Sequence, residues 1–586
     1  MTMTSRERVL TALARREPDR VPWVENNVSN DVARAILKRD DFIHTGYTQL
    51  PGRPGVLRVP PEVCRVLPLD SFSIDFSPPR YVVTKAMQTE ASQHDVAVEG
   101  RIKTREDLKI IDFPDPDDED LYRTVGEMLE RFGGDLCRVM SVRAGVSSTY
   151  LSMGISHFMV SLVEEPDLVE ELLNRYADWC LRAIRNLQEL PFDLVWLPED
   201  LAFGHGPMMS PTQFRDIILP VMRRVTSEIR KPWVFHSDGN LMPILDDLLS
   251  LGMDGLANIE PGPMDIEALK RDYGSRICLV GNIDLHYTLT RGTPEETMDE
   301  VRRRIAACGP GGGYILASAN SLAPYVKPEN VKAMGEALLR YGRYPLEEAP
   351  AVSPRSAEHV KPAEEQPIDV SFPVLYDAIL QGLGALAEGE ARRIMSGEGK
   401  AEDVVERGLI PAMEEIGRRF EAGLVYLPEM IMAAKAAHRV LGVLHPYFAR
   451  TGERREISVV LGTVKDDVHD IGKNIVSTVL EGAGFRVVDL GTDVSAERFI
   501  NAVKDSGAVA VGISSLLSTT LSRMEETVQK IRENFPAQPP LILVGGAPVT
   551  DEFARAIGAD FRGVSGSDAV AFLRAQLARS RAAGES

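Results

Sequence analysis

The sequence predicts an α/β protein in several domains: a (β/α)8 barrel first, then a four-helix bundle, then a Rossmann/flavodoxin-like domain. Three observations carry this. Residues 1–345 alternate apolar strand-like runs with longer amphipathic segments, the rhythm of β/α units. Residues 372–450 show helical periodicity interrupted at short intervals, as a bundle requires. Beyond residue 451, apolar runs end in loops that open into helices, and open parallel sheets place ligands at such strand ends.

In the N-terminal part the apolar runs are 21–24, 138–142, 194–197, 233–235, 255–259, 277–280 and 314–317, with an eighth near 71–76. The residues that follow them are Glu25 with Asn26, Arg143, Glu199 with Asp200, His236 with Asp238, Glu260, Asn282 with Asp284, and Ser318 with Asn320. Polar groups at successive strand ends are what a closed barrel presents at its catalytic face. Candidate catalytic residues are therefore His236, Asp238, Glu199, Asp284 and Asn320. His205 reads as a surface loop residue.

With 586 residues the chain is too long for one core. Its 44% hydrophobic and 26% charged content is that of a globular protein. A formal charge of -20 argues against nucleic acid or an anionic membrane as partner. No apolar run reaches the roughly 18 residues a membrane span needs, and the N-terminus lacks an apolar signal core. The five cysteines, at 64, 137, 180, 278 and 308, show no C-x-x-C spacing. That is a reduced, cytoplasmic pattern.

Residues 346–371 are rich in Pro, Glu, Ala and Ser without apolar period, and read as a linker that lets one domain visit more than one partner site. In 372–450, Leu375, Ile379, Leu383 and Leu386 share a helical face, followed by helices over 404–420 and 427–444 with Pro428 at the first helical position. Domain boundaries are thus expected at 1–345, 346–371, 372–450 and 451–586.

The chain is organised around Gly462-Thr463-Val464-Lys465-Asp466-Asp467-Val468-His469-Asp470-Ile471-Gly472. It follows the apolar run 457–461 and precedes a helical pattern. A histidine two residues after an aspartate has the layout of a metal ligand whose far ring nitrogen is held by a carboxylate. Two more strand ends follow: Ser514-Ser515-Leu516 through Thr520 after 509–513, and Gly545-Gly546-Ala547 after 541–544.

These three stretches resemble the cobalamin-binding domains of methionine synthase and of methylotroph corrinoid proteins, with their D-x-H-x-x-G and S-x-L signatures. The resemblance implies that His469 is the lower cobalt ligand in place of dimethylbenzimidazole, and that Asp467 and Thr520 form a relay behind it. It gives Gly472 close passage of the nucleotide tail, Ser514 and Leu516 the lining of the base pocket, and Gly545 and Gly546 the backbone approach to the tail. Asp466 departs from the Gly common at that position. The segment from Ile416 to Met430, with Met413, Phe420, Tyr426 and Leu427, resembles the helical cap that covers the upper cobalt face; ordinary core is the alternative.

The N-terminal part resembles the uroporphyrinogen decarboxylase superfamily, which includes methyltransferases serving corrinoid proteins. The matching pieces are Ser5 to Leu10 with Asp19-Arg20-Val21-Pro22, Asp200 to Phe203 leading to Ser210-Pro211, Phe235 to Asn240, and Val280 to Asp284. The R-Q-A-G-R-Y stretch of porphyrinogen decarboxylases is absent. Thiol-using members bind zinc through H-x-C and a later Cys; here Asp238 and Asn320 stand at the cysteine positions. A zinc site would then draw on His236 and Asp238, with Glu199 or Glu260, and would suit an ether-type oxygen. The alternative is that His236 and Asp238 hydrogen-bond substrate without a metal.

Together the resemblances imply a corrinoid-dependent methyltransferase. Methyl would pass from a small methylated donor, an O-methyl compound favoured, to Co(I) of bound cobalamin. A second methyltransferase with a pterin acceptor and a reductive activator would complete the relay. Competing readings are transfer from cobalt to a thiol, a non-catalytic cobalamin sensor, and a lyase with the cobalamin unit as passenger.

Overall fold

A computed structural model describes residues 2–42, 45, 56–88, 93–204, 206–346, 372–397, 399–421, 424–451, 457–465, 467, 471–515, 520–546, 549–563 and 566–584. The expected linker, 346–371, lies outside these apart from Leu346, as do His205, His469 and Leu516. The chain divides between residues 357 and 358 into two compact units.

The N-terminal unit is the barrel. Its strands are β1 (Ser71–Asp75), β2 (Cys137–Ser141), β3 (Leu194–Pro198), β4 (Trp233–His236), β5 (Gly255–Ala257), β6 (Cys278–Ile283) and β7 (Tyr314–Ser318). They pair in that order and in parallel. Residues 22–24 close the ring: Val24 N donates to Leu316 O (3.0 Å), Leu316 N to Pro22 O (2.8 Å), and Asp70 N to Trp23 O (2.8 Å). The buried Glu25 bolts the same seam, accepting from Trp23 Nε1 (2.7 Å), Ser318 N (2.9 Å) and Ser318 Oγ (2.6 Å).

Inward residues of successive strands fill the interior, among them Val139, Leu194, Val234, Ala257, Val280 and Ile315. The helix α1 (Ser5–Leu13), started by a Thr4–Glu7 capping box, adds Val9, Ala12 and Leu13 to this core. Nearby, Asp70 takes ion pairs from Arg8 (2.6 Å) and Arg20 (2.9 Å). The Arg8 and Arg20 of the sequence resemblance are thus structural.

One predicted strand is shorter in the structure. The strand over 255–259 stops at Ala257, because Asn258 takes a left-handed φ of 58°. Asparagine tolerates that conformation, and the turn makes Asn258 available at the strand end.

The C-terminal unit begins with the bundle: α2 (Pro373–Leu380), α3 (Gly384–Met395), a helical stretch that ends in α4 (Ile410–Glu421), and α5 (Leu427–Thr451). Leu375 and Ile379 are buried as expected, but Leu383 and Leu386 are 45% and 51% exposed. The predicted single face is broken at Gly382, whose φ of 67° ends the helix. A Cβ at Gly382 would lie 2.6 Å from Met432 Cβ, so no other residue allows this crossing. Met413 belongs to the bundle core. Leu427 and Met430 are buried outside that core cluster, whereas Phe420 and Tyr426 are half-buried.

The second sheet contains β8 (Ser458–Thr463), β9 (Arg486–Asp489), β10 (Ala510–Ser514), β11 (Leu541–Gly545) and β12 (Phe561–Gly563). Their order is β9-β8-β10-β11-β12, all parallel. This is the 2-1-3-4-5 order of flavodoxin-like sheets, whose ligand crevice opens where the winding reverses, between the first and third strands. The loops after β8 and β10 occupy that place.

Candidate functional site

At the barrel mouth His236 ends β4 beside Trp196 on β3. The indole Nε1–H donates to His236 Nδ1 at 3.0 Å. An indole nitrogen only donates, so Nδ1 bears the lone pair and a neutral ring carries its proton on Nε2. Burial pushes the imidazole down to about 4, so the ring is neutral at physiological pH. Nε2 lies 3.0 Å from Asn258 Nδ2, so the Asn258 amide has to turn its oxygen to accept this ring proton, and Asp200 Oδ1 lies 3.9 Å away.

Asp238 lies beside it. The Asn258 amide meets its Oδ1 at 2.9 Å, and Asn320 Nδ2 donates to its Oδ2 at 2.8 Å. Burial first, then the charge of Asp200, pushes the Asp238 carboxyl up to about 8. It therefore holds a proton near neutrality. Glu260 borders the group, accepting from Gly239 N at 3.2 Å and lying 3.5 Å from His286 Nε2. Its hydrogen bond raises His286 above the ordinary histidine value.

Of the sequence candidates, His236, Asp238 and Asn320 come together, and Glu199 and Asp284 do not join them. Both oxygens of Glu199 are taken by backbone donors: Ala144 N (2.6 Å), Gly145 N (2.9 Å) and Ser147 N (2.5 Å) at the start of a helix. Asp284 clamps a turn through the N–H groups of His286 (2.9 Å), Tyr287 (2.8 Å) and Thr288 (3.2 Å). Asp200, Asn258 and Trp196 take part instead. Asn258 was hidden by the strand read through it; Trp196 looked like ordinary apolar strand filling.

Spacing alone would admit a cation, since ligand atoms of Asp200, His236 and Asp238 lie within 4.8 Å of one another. The hydrogen bonds decide otherwise. Ligation through Nε2 needs the ring proton on Nδ1, where it would face the indole N–H of Trp196. Two donors cannot share that 3.0 Å gap. The zinc expectation does not fit these residues.

In the C-terminal domain the expected relay residues converge. The Asp467 carboxylate is fully buried and accepts from Thr520 Oγ1 at 3.0 Å and Ser515 Oγ at 3.4 Å, while these two hydroxyls lie 2.8 Å apart. Ser515 is the participant that sequence reading passed over in favour of Ser514, which ends β10. Gly472 sits near the start of a helix (Ile471–Gly482), and a Cβ there meets nothing within 4 Å among the described residues. Gly546 has φ 122°, and a Cβ there would fall 1.8 Å from Ser515 O. Its missing side chain lets two strand-end loops touch. Lys473, buried in the Ile471–Gly482 helix, pairs with Asp489 at the end of β9.

This donor set fits a corrinoid. A buried carboxylate two residues before His469 in the sequence suits a histidine whose far nitrogen must be held, and the open space at Gly472 suits a passing tail.

The family comparisons agree with this geometry. The B12 binding domain family matches residues 457–573, and a second B12 binding domain family matches 374–445. Uroporphyrinogen decarboxylase (URO-D) matches residues 81–341. Dimethylamine corrinoid protein 1 of Methanosarcina mazei is 40% identical over 170 residues, 29% of this chain and 79% of that protein. A corrinoid protein of Desulfitobacterium hafniense is 38% identical over 171 residues, again 29% of this chain and 79% of its own length. Among solved structures, a methyltransferase from Methanosarcina mazei is similar at 19% identity and TM-score 0.45, covering 58% of this chain and 99% of that one. The chain belongs to the corrinoid protein family and joins its B12-binding half to a uroporphyrinogen decarboxylase-type barrel, the architecture of a cobalamin-dependent methyltransferase.

Proposed function

We propose that the chain takes a methyl group from a small O-methyl donor at the barrel mouth and passes it, through its corrinoid, to a second acceptor. The observation that carries this reading is Asp238, a carboxyl kept protonated near neutral pH and aimed by two asparagine amides. A methyl ether leaves as an alkoxide or phenoxide, and a positioned acid is what such a leaving group needs.

The bound corrinoid supplies a low-valent cobalt nucleophile strong enough to accept methyl from a poor leaving group. This chain's residues do the rest. Asp238 gives its proton to the leaving oxygen, while His236, neutral and fixed by Trp196, offers Nε2–H to the same side of the site. Asn258 and Asn320 hold the Asp238 carboxyl, and Asp200 raises its proton affinity. In the C-terminal domain Asp467, with Thr520 and Ser515, would orient the His469 ring; Gly472, Gly545 and Gly546 would give the tail its path, and Ser514 and Leu516 are assigned to the base pocket. The barrel ends near 345, the linker near 371 and the cap near 450. A second methyltransferase with a pterin acceptor and a reductive activator complete the cycle, in the cytoplasm. No single helix among the described residues is long and apolar enough to cross a membrane.

The test uses purified protein loaded with corrinoid and reduced. Donor-dependent change in the corrinoid's visible spectrum is followed with methoxyarenes, methanol and methylamines. The proposal expects methoxyarenes to react, and to react slowly in Asp238→Asn. Reaction with methylamines alone, or with added thiol alone in the reverse direction, contradicts it.

A further inference from the structure

Three arginines gather on one side of the barrel mouth. Arg58 follows the short strand Val56–Leu57, Arg80 follows β1 and Arg143 follows β2. Arg58 donates to Asn26 Oδ1 at 3.2 Å and pairs with Asp75 at 3.3 Å. Arg143 Nη1 donates to Ser147 Oγ (2.5 Å) and to Pro198 O (2.7 Å), both neutral acceptors, and among the described residues its Nε is buried without a partner.

Arg80 is barer still. Its Nε is also buried without a partner, and no hydrogen bond or ion pair reaches its guanidinium among the described residues. Arg143 and Arg58 act on it as like charges, with Asp75 the opposing carboxylate. Burial and those arginines push it down to about 10.

Leaving buried guanidinium groups unpaired is costly, and a native fold keeps such a group where something else completes it. A guanidinium fork matches a carboxylate or a similar oxyanion through paired N–H donors. The cluster also stands near the acid site, since the charges of Arg58 and Arg143 act on His236.

We propose that the methyl donor carries an oxyanion of the carboxylate class, bound by Arg80 and Arg143 on the β1–β2 side of the mouth, with its methyl-bearing end toward Asp238. This rests on the reading of the barrel as the donor site. The arginines set specificity and orientation, and Asp238 meets the reacting group.

The experiment uses the full-length protein and two separate readouts. In thermal unfolding, benzoate is compared with benzenesulfonate, inorganic phosphate and neutral benzamide. Benzoate should raise the wild-type midpoint by several degrees and benzamide should not; the sulfonate and phosphate arms show which oxyanions the cluster takes. Arg80→Gln should raise the midpoint without ligand, because it removes an unpaired charge, and should lose the benzoate response. Among the described residues Arg80 makes no hydrogen bond or ion pair whose loss could unfold the chain, so this variant carries the test even if Arg143→Gln fails to fold. No benzoate response in the wild type, or an unchanged response in Arg80→Gln, overturns the proposal.

In methyl transfer, 4-methoxybenzoate should exceed methoxybenzene by at least about tenfold in kcat/KM, the worth of one charged hydrogen bond. Arg80→Gln should raise KM for 4-methoxybenzoate at least about tenfold while kcat changes less. A benzoate response without transfer from any donor supports the anion site and refutes the methyl-transfer reading. Equal transfer from both donors without a benzoate response does the reverse.

Discussion

Both sites of this chain lie at the C-terminal ends of parallel strands, but their hydrogen-bonding surroundings are of opposite kind. His236 in the barrel is faced by an indole N–H, a donor. Two residues before His469 in the sequence stands Asp467, a buried acceptor that itself takes two hydroxyl hydrogen bonds. A metal-bound imidazole must donate through its far nitrogen. An acceptor two residues from His469 in the sequence permits ligation there; the donor behind the barrel histidine opposes it. The lesson is that what stands behind a histidine decides whether it is a ligand or a hydrogen-bond donor.

The largest expected effect breaks the barrel side of this contrast. Asp238→Asn keeps the shape and removes the proton, and should slow single-turnover methyl transfer by about 10²–10⁴-fold. The wild-type rate should fall as pH rises through about 8, where Asp238 loses its proton. Folding stability should follow the same sign. The folded carboxyl binds its proton more tightly than the unfolded one, so stability is lost between the ordinary carboxylate range and about 8. The slope is at most about 1.4 kcal/mol per pH unit, and chemical denaturation of the Asp238→Asn variant should show a flatter profile.

On the corrinoid side, Asp467→Ala should weaken corrinoid binding by about 10–100-fold in equilibrium dialysis. Thr520→Val should fall at the low end of that range, because Ser515 remains within 3.4 Å of the carboxylate. Equal loss in both variants would mean that the hydroxyl, not the carboxylate, is the essential partner. Gly546→Ala should cost about 1–3 kcal/mol in unfolding free energy from backbone strain alone. The close approach to Ser515 O adds to that.

The smallest effect is the most pointed. Trp196→Phe removes the opposing donor and should let zinc bind the barrel, read as metal content after dialysis, where the wild type retains none. A wild-type barrel holding one zinc, with activity lost on chelation, would reverse the contrast drawn between the two histidines.

The sequence revealed the two sites unequally. The second sheet was readable because its three loop motifs follow apolar strands in order, and β8, β10 and β11 end where those motifs begin. The barrel was readable as alternating runs, and its polar strand ends pointed to His236, Asp238 and Asn320. Roles at those ends were not readable, because a carboxylate after a strand can serve chemistry or a backbone. Glu199 and Asp284 bind backbone N–H groups, whereas Asp238 meets side chains just past the ends of β5 and β7. Only tertiary structure separates these. Gly382 was missed for a related reason: a left-handed residue in an otherwise periodic run leaves the apolar spacing intact and still turns the chain.

The central claim is that one histidine grips cobalt from below while the corrinoid's own base is displaced. Electron paramagnetic resonance of the corrinoid-loaded, cobalt(II) protein tests it directly, using isotopically labelled histidine. The account predicts that the nitrogen coupling on cobalt changes with the label, and that the His469→Ala variant loses it. Coupling that ignores the label, coming from a benzimidazole still attached, would contradict the account.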